Sequence, residues 1–145
     1  MYKADFLPYI GTGKIKLGST RDETRKTLGT YKEFKKNKFS KNTTDDFSFF
    51  HVFYDGENKV EAVEFFDTTE FIFKDKNLFS FQFIELKSFL KNNTIDFQED
   101  DSGIRSDAVG LSVYSPDKGK IETILIYKQG YFNATHYPDA FSKQG

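Results

Sequence analysis

The sequence predicts a single α+β domain, with a mostly antiparallel sheet built from two α-β-β(β) units and helices packed on one face. The first observation behind this is the stretch Phe47 to Phe66, FSFFHVFYDGENKVEAVEFF, where two aromatic and β-branched runs flank Asp55-Gly56-Glu57-Asn58, a hairpin turn signal. The second is order: helical patterns near 20–28 and 81–91 each precede a hairpin pattern, near 47–66 and 110–127. The third is size, since 145 residues fit one domain whose pseudo-repeat halves run about 11–74 and 75–132.

Residues 1–10 read as an edge strand or packing arm ended by Pro8. Ile15 and Leu17 alternate with Lys14 and Lys16 as a short half-buried strand, broken by Gly18. Thr20 followed by Glu23 matches a capping box for a helix over Arg21–Leu28, with Asp22 and Glu23 where the helix dipole favours acid and Gly29 as the stop. Residues 31–44 are basic, with Tyr31, Phe34 and Phe39 interleaved among lysines. They read as a solvated connection pinned to the core by its aromatics, with no nucleic-acid partner expected.

After the hairpin, Phe71, Ile72 and Phe73 predict a third strand of the same meander. Phe83, Leu86, Phe89 and Leu90 recur at helical spacing and predict a helix over Phe81–Lys91. Asp96–Asp107 is acidic and turn-rich. Gly110–Tyr114 and Ile121–Tyr127 predict the second hairpin, with Tyr131 and Phe132 extending its last strand and the C-terminus fraying. Both arms of the first hairpin are apolar on both pleat faces, so one face is expected under the helices and the other open.

Net charge is −1, yet residues 1–44 carry +7, residues 45–110 carry −9 and residues 111–145 carry +1. Such a dipolar surface steers an oppositely charged partner or is neutralised within the fold. There is no Cys, no apolar run of membrane-spanning length and no signal-peptide order at the start, so the expected location is cytoplasmic, without membrane contact.

No catalytic constellation is legible. His51 and His136 are the two imidazoles and fall in no zinc spacing; there is no GxSxG, P-loop, GxGxxG or Cys nucleophile. A divalent-metal hydrolase using Asp55, Glu61 or Glu64 is the weakest alternative. The expectation is a non-enzyme with no cofactor and no metal.

Three segments together carry a resemblance: Gly13–Ser19 leading to Leu28-Gly29, the HVFYDGENKVEAVEFF hairpin, and GLSVYSP with ETILIYKQGYF near the end. They resemble small bacterial immunity-type proteins of polymorphic toxin systems. The Gly…Leu-Gly segment is similar to the tandem α-β-β units of beta-lactamase inhibitory protein and of small outer-membrane assembly lipoproteins. The resemblance implies a protein that neutralises a cognate toxin by binding it. On that reading the partner-binding patch is acidic and aromatic: Asp45, Asp46, Tyr54, Asp55, Glu57, Glu99, Asp100, Asp101 and Tyr114, with the acids entering a basic active site. The alternative is a small-ligand-binding or self-associating module, with a homodimer burying the open sheet face.

Overall fold

The computed structural model describes residues 2–40 and 42–132. Its elements run β1 (Tyr2–Asp5), α1 (Arg21–Leu28), β2 (Lys32–Lys35), β3 (Thr43–Asp46), β4 (Phe50–Tyr54), β5 (Val60–Phe66), β6 (Thr69–Phe73) and β7 (Lys76–Asn77). A 3-10 turn over Leu78–Ser80 leads to α2 (Phe83–Asn92), β8 (Gln98–Asp100), β9 (Gly103–Ser106), β10 (Leu111–Tyr114) and β11 (Thr123–Tyr127). The fold is α+β, one domain, mostly antiparallel.

The large sheet has the order β2-β3-β4-β5-β11-β10-β9-β8. Each helix is therefore followed by a four-strand meander, and the meanders meet where β5 and β11 pair antiparallel, Glu64 opposite Leu125. The sequence predicts only two or three strands per unit. The extra ones lie in the stretches read as connections: β2 with β3 within 31–44, and β8 with β9 within the acidic 96–107. Both are short, polar on their outer positions and closed by side-chain turns; Asp100 accepts the backbone N–H groups of Ser102 and Gly103 at 2.9 Å each. Apolar periodicity could not reveal them.

Both helices enter on the same device. Thr20 and Glu23 form the predicted capping box, and Gln82 with Glu85 forms a second. Arg21 N donates to Asn58 O and Phe83 N to Gly119 O, both at 2.8 Å, so each helix start is tied to the turn before the last strand of its own meander. Asn58 and Lys118 hold the matching left-handed turn positions, each at φ 59°.

Matching rows also cross the two meanders. Val63, Val52, Asp45 and Glu33 lie side by side across β5 to β2, as Ile124, Val113, Ile104 and Glu99 do across β11 to β8. These rows face the helices. α2 buries Phe83, Leu86 and Leu90 there, completing a core with Phe50, Phe65, Phe71, Ile124 and Ile126. α1 buries only Arg21 and Thr24, and is held by charge instead.

Three other expectations change. Residues 14–17 make one isolated bridge, Lys16 opposite Gly11, rather than a strand. β6 leaves the meander and pairs in parallel with β1, forming a three-stranded sheet with β7. Tyr131 and Phe132 do not extend β11: they turn back so that their rings lie 5.7 and 4.8 Å from Tyr127. With Phe53, Ala62 and Leu125 they make a second cluster that covers the middle of the helix-free face, so that face is open only in part. The fraying expected of the C-terminus falls on 133–145, outside the described residues, as does His136.

Candidate partner-binding face

The acidic patch expected from the sequence does not form one surface. Asp45 is fully buried and Tyr54 is 3 % exposed, so neither is available to a partner. Arg25 donates to both Asp45 carboxylate oxygens, from Nε at 2.7 Å and Nη2 at 2.8 Å, and the Tyr54 hydroxyl donates at 2.8 Å. Arg21 lies 3.7 Å from the same carboxylate, stacks over the Tyr54 ring at 4.1 Å, and donates to Thr43 and Asn42. The hydrogen bond to Asp45 pushes the Arg25 guanidinium above its ordinary range. Burial, and then the Asp45 carboxylate, pushes the Tyr54 hydroxyl far up, so it stays a protonated donor. These are structural bonds, and they explain how a helix with almost no apolar face stays docked.

The other predicted acids divide between the two ends of the sheet. Asp46 sits beside His51, 3.5 Å from its Nε2, and accepts Ser48 N. Asp55 closes the β4–β5 turn through Glu57 N and Lys59 N and pairs with Lys128 at 3.2 Å; burial opposes its ionisation, but these donors outweigh burial and hold its carboxyl below the usual range. Glu57 is exposed in the same turn. Glu99, Asp100 and Asp101 lie at or beside β8, six strand spacings from β3, a separation of roughly 29 Å at ~4.8 Å per strand. Glu99 is bridged by Lys118 at 2.9 Å and Lys87 at 3.1 Å, which hold its carboxyl below the ordinary range, Lys118 most. Tyr114 is half-buried on β10. Asp45 with Tyr54, and Asp55 with Glu57, are thus brought together; Glu99–Asp101 and Tyr114 are placed elsewhere.

What the helix-free face offers is different. Phe34, His51 and Phe66 form a row of half-buried rings, with centroids 5.0 Å apart from Phe34 to His51 and 4.8 Å from His51 to Phe66, both edge-on. Burial lowers the His51 pKa from its ordinary value against the opposing pull of Asp46 and Glu64. Beside the row, Lys36 lies 4.4 Å over the Phe53 ring. A cleft of about 370 Å³ opens at that end, lined among others by Lys36, Thr44, Phe53, Asp55, Lys128 and Tyr131. The β2–β3 turn projects next to it and carries Phe39, 78 % exposed. The turn is held by Phe39 N donating to Asn37 Oδ1 at 2.7 Å and Ser40 N donating to Asn37 O at 3.1 Å.

Sequence reasoning missed Phe34, His51 and Phe66 as neighbours, and Lys128 as the partner of Asp55. The alternation of His51 and Phe53 signalled one face of β4, but the reading of 31–44 as a solvated connection hid the strand that brings Phe34 beside it. Among the described residues no group of three or more His, Asp and Glu side chains is placed to hold a metal ion. No described helix is long and apolar enough to cross a membrane. Comparison with protein-family models, with curated proteins and with solved structures finds no match.

Proposed function

We propose that the protein is a non-enzymatic protein-binding inhibitor, with a cognate bacterial toxin met in the cytoplasm as its partner, and that it binds through the helix-free face of the large sheet. The observation that carries the reading is the Phe34–His51–Phe66 row, with exposed Phe39 on the β2–β3 turn of the same meander, on strands braced from behind by both helices. Rings held by a sheet lose little conformational freedom on binding, so contact area converts to affinity with a small ordering cost. The toxin as partner comes from the sequence resemblance; the geometry supports the choice of face. The acids predicted as contacts are largely engaged within the chain, which moves the expected energetic centre to the rings and to Lys36.

The test is co-expression with the product of the adjacent gene, followed by size-exclusion chromatography and titration. A one-to-one complex is expected, weakened at least tenfold by Phe66→Ala or Phe39→Ala and unchanged by Ile84→Ser on the exposed side of α2. Absence of a complex, or equal affinity for all three variants, overturns the reading. The cleft supports a second reading, a small-ligand site, since its volume falls in the range of ligand pockets. A thermal-shift screen tests it, because a bound ligand raises the melting temperature by mass action.

A further inference from the structure

The two edge strands of the eight-stranded sheet carry opposite charge. β2 displays exposed Lys32 and Lys35, with Lys36 and Lys38 following in its turn; its one acid, Glu33, is held by Arg25 at 3.0 Å. The opposite edge carries Asp96, Glu99, Asp100 and Asp101, all exposed, with no base among residues 96–101. Glu99 is bridged by Lys87 and Lys118, while Asp96, Asp100 and Asp101 enter no ion pair among the described residues. Neither β2 nor β8 has a ladder partner on its outer side among those residues, although the Asp100 carbonyl already accepts the Lys118 ammonium.

Charge on an edge strand ordinarily keeps another chain from pairing with it. That protection works when both edges carry one sign. Here two β2 edges repel and two β8 edges repel, but β2 of one copy attracts β8 of the next. Strand direction agrees with this. Seven antiparallel ladders separate β2 from β8, so the two edges run in opposite directions. A second copy in the same orientation therefore brings its β8 against β2 as an antiparallel neighbour, the pairing that continues the sheet.

We propose that this chain associates with copies of itself head to tail, the β8 edge of one copy on the β2 edge of the next. The contact spans three or four ladder residues and a few exposed charge pairs, so it is weak and screened by salt. It joins two different surfaces and does not close on itself, so it grows beyond a dimer as concentration rises. It does not depend on the inhibitor reading, although that face includes Phe34 of β2 and Lys36 just after it.

The test is sedimentation velocity on the full chain alone, from micromolar to millimolar concentration, at low salt and at about 0.5 M salt, where screening reaches a few ångströms. The weight-average mass is expected to rise past that of a dimer at low salt and to return to the monomer at high salt. Lys32→Glu with Lys35→Glu makes β2 acidic like β8, and Asp96→Lys with Asp101→Lys brings the net charge of residues 96–101 to zero. Each pair alone is expected to lower the association constant at least tenfold, and an equimolar mixture of the two is expected to recover it. The single variants Lys35→Glu and Asp101→Lys supply the same comparison if a double variant fails to fold. A monomer at millimolar concentration and low salt overturns the proposal, as does a dimer that grows no further or association that charge reversal leaves unmoved.

Discussion

Arg25 on α1 grips both carboxylate oxygens of Asp45 on β3, a residue with no solvent exposure at all. The matching place in the second meander is Ile104, and the matching outer pair there is Lys87 with Glu99, at 3.1 Å, where the first has Arg25 with Glu33, at 3.0 Å. One architecture thus docks its second helix by apolar packing and its first by a buried ionic cluster.

Removing one member of a buried pair strands the other, which costs about 3–5 kcal/mol. Asp45→Asn is therefore expected to lower unfolding free energy by about 3 kcal/mol, read by urea denaturation. Joint replacement, Asp45→Leu with Arg25→Met, removes both charges and is expected to recover most of that loss, because burial of the pair itself offers little net stability. If the double variant is less stable than Asp45→Asn, the cluster contributes far more than charge compensation.

His51 titrates below its ordinary value of 6.5, because burial disfavours its charged form more than Asp46 and Glu64 favour it. Between its folded pKa and 6.5 the unfolded chain binds a proton that the folded chain does not, so this contribution is intact above 6.5 and is lost as pH falls through that window. An NMR titration is expected to place the His51 transition below 6.5. His51→Phe is expected to flatten the dependence of stability on pH there; an unchanged slope would assign it to other groups.

Thr20 Oγ1 accepts Glu23 N at 3.1 Å, one half of the α1 capping box. Thr20→Ala is expected to destabilise the protein by about 1 kcal/mol, with faster amide exchange confined to α1. Spread of that exchange into α2 would mean that the two helices open as one unit.

A Cβ on Gly103 would overlap the Val113 carbonyl oxygen across the β9–β10 ladder. Gly103→Ala must spread those strands, at an expected cost of about 1–3 kcal/mol measured by thermal or urea unfolding. Gly56→Ala, where nothing lies within 4 Å of a new Cβ, is the control and is expected to be near neutral.

The elements that the sequence alone determined are those specified within a few residues. The Asp55–Asn58 turn, the Thr20–Glu23 cap and the Phe83–Leu86–Leu90 stripe each act on neighbours along the chain, and together they settle an α+β domain with two helices before two hairpins. The rest was decided by partners far away in the chain. Asp45 reads as a loop acid because nothing adjacent neutralises it; Arg25, twenty residues earlier, does so only once α1 lies on β3. Phe34 joins His51 only when β2 takes the sheet edge, and β6 pairs with β1, more than sixty residues before it, instead of with its own hairpin. Short polar strands carry no burial pattern of their own, and a carboxylate's burial depends on which cation the fold delivers to it, so both are properties of the tertiary structure.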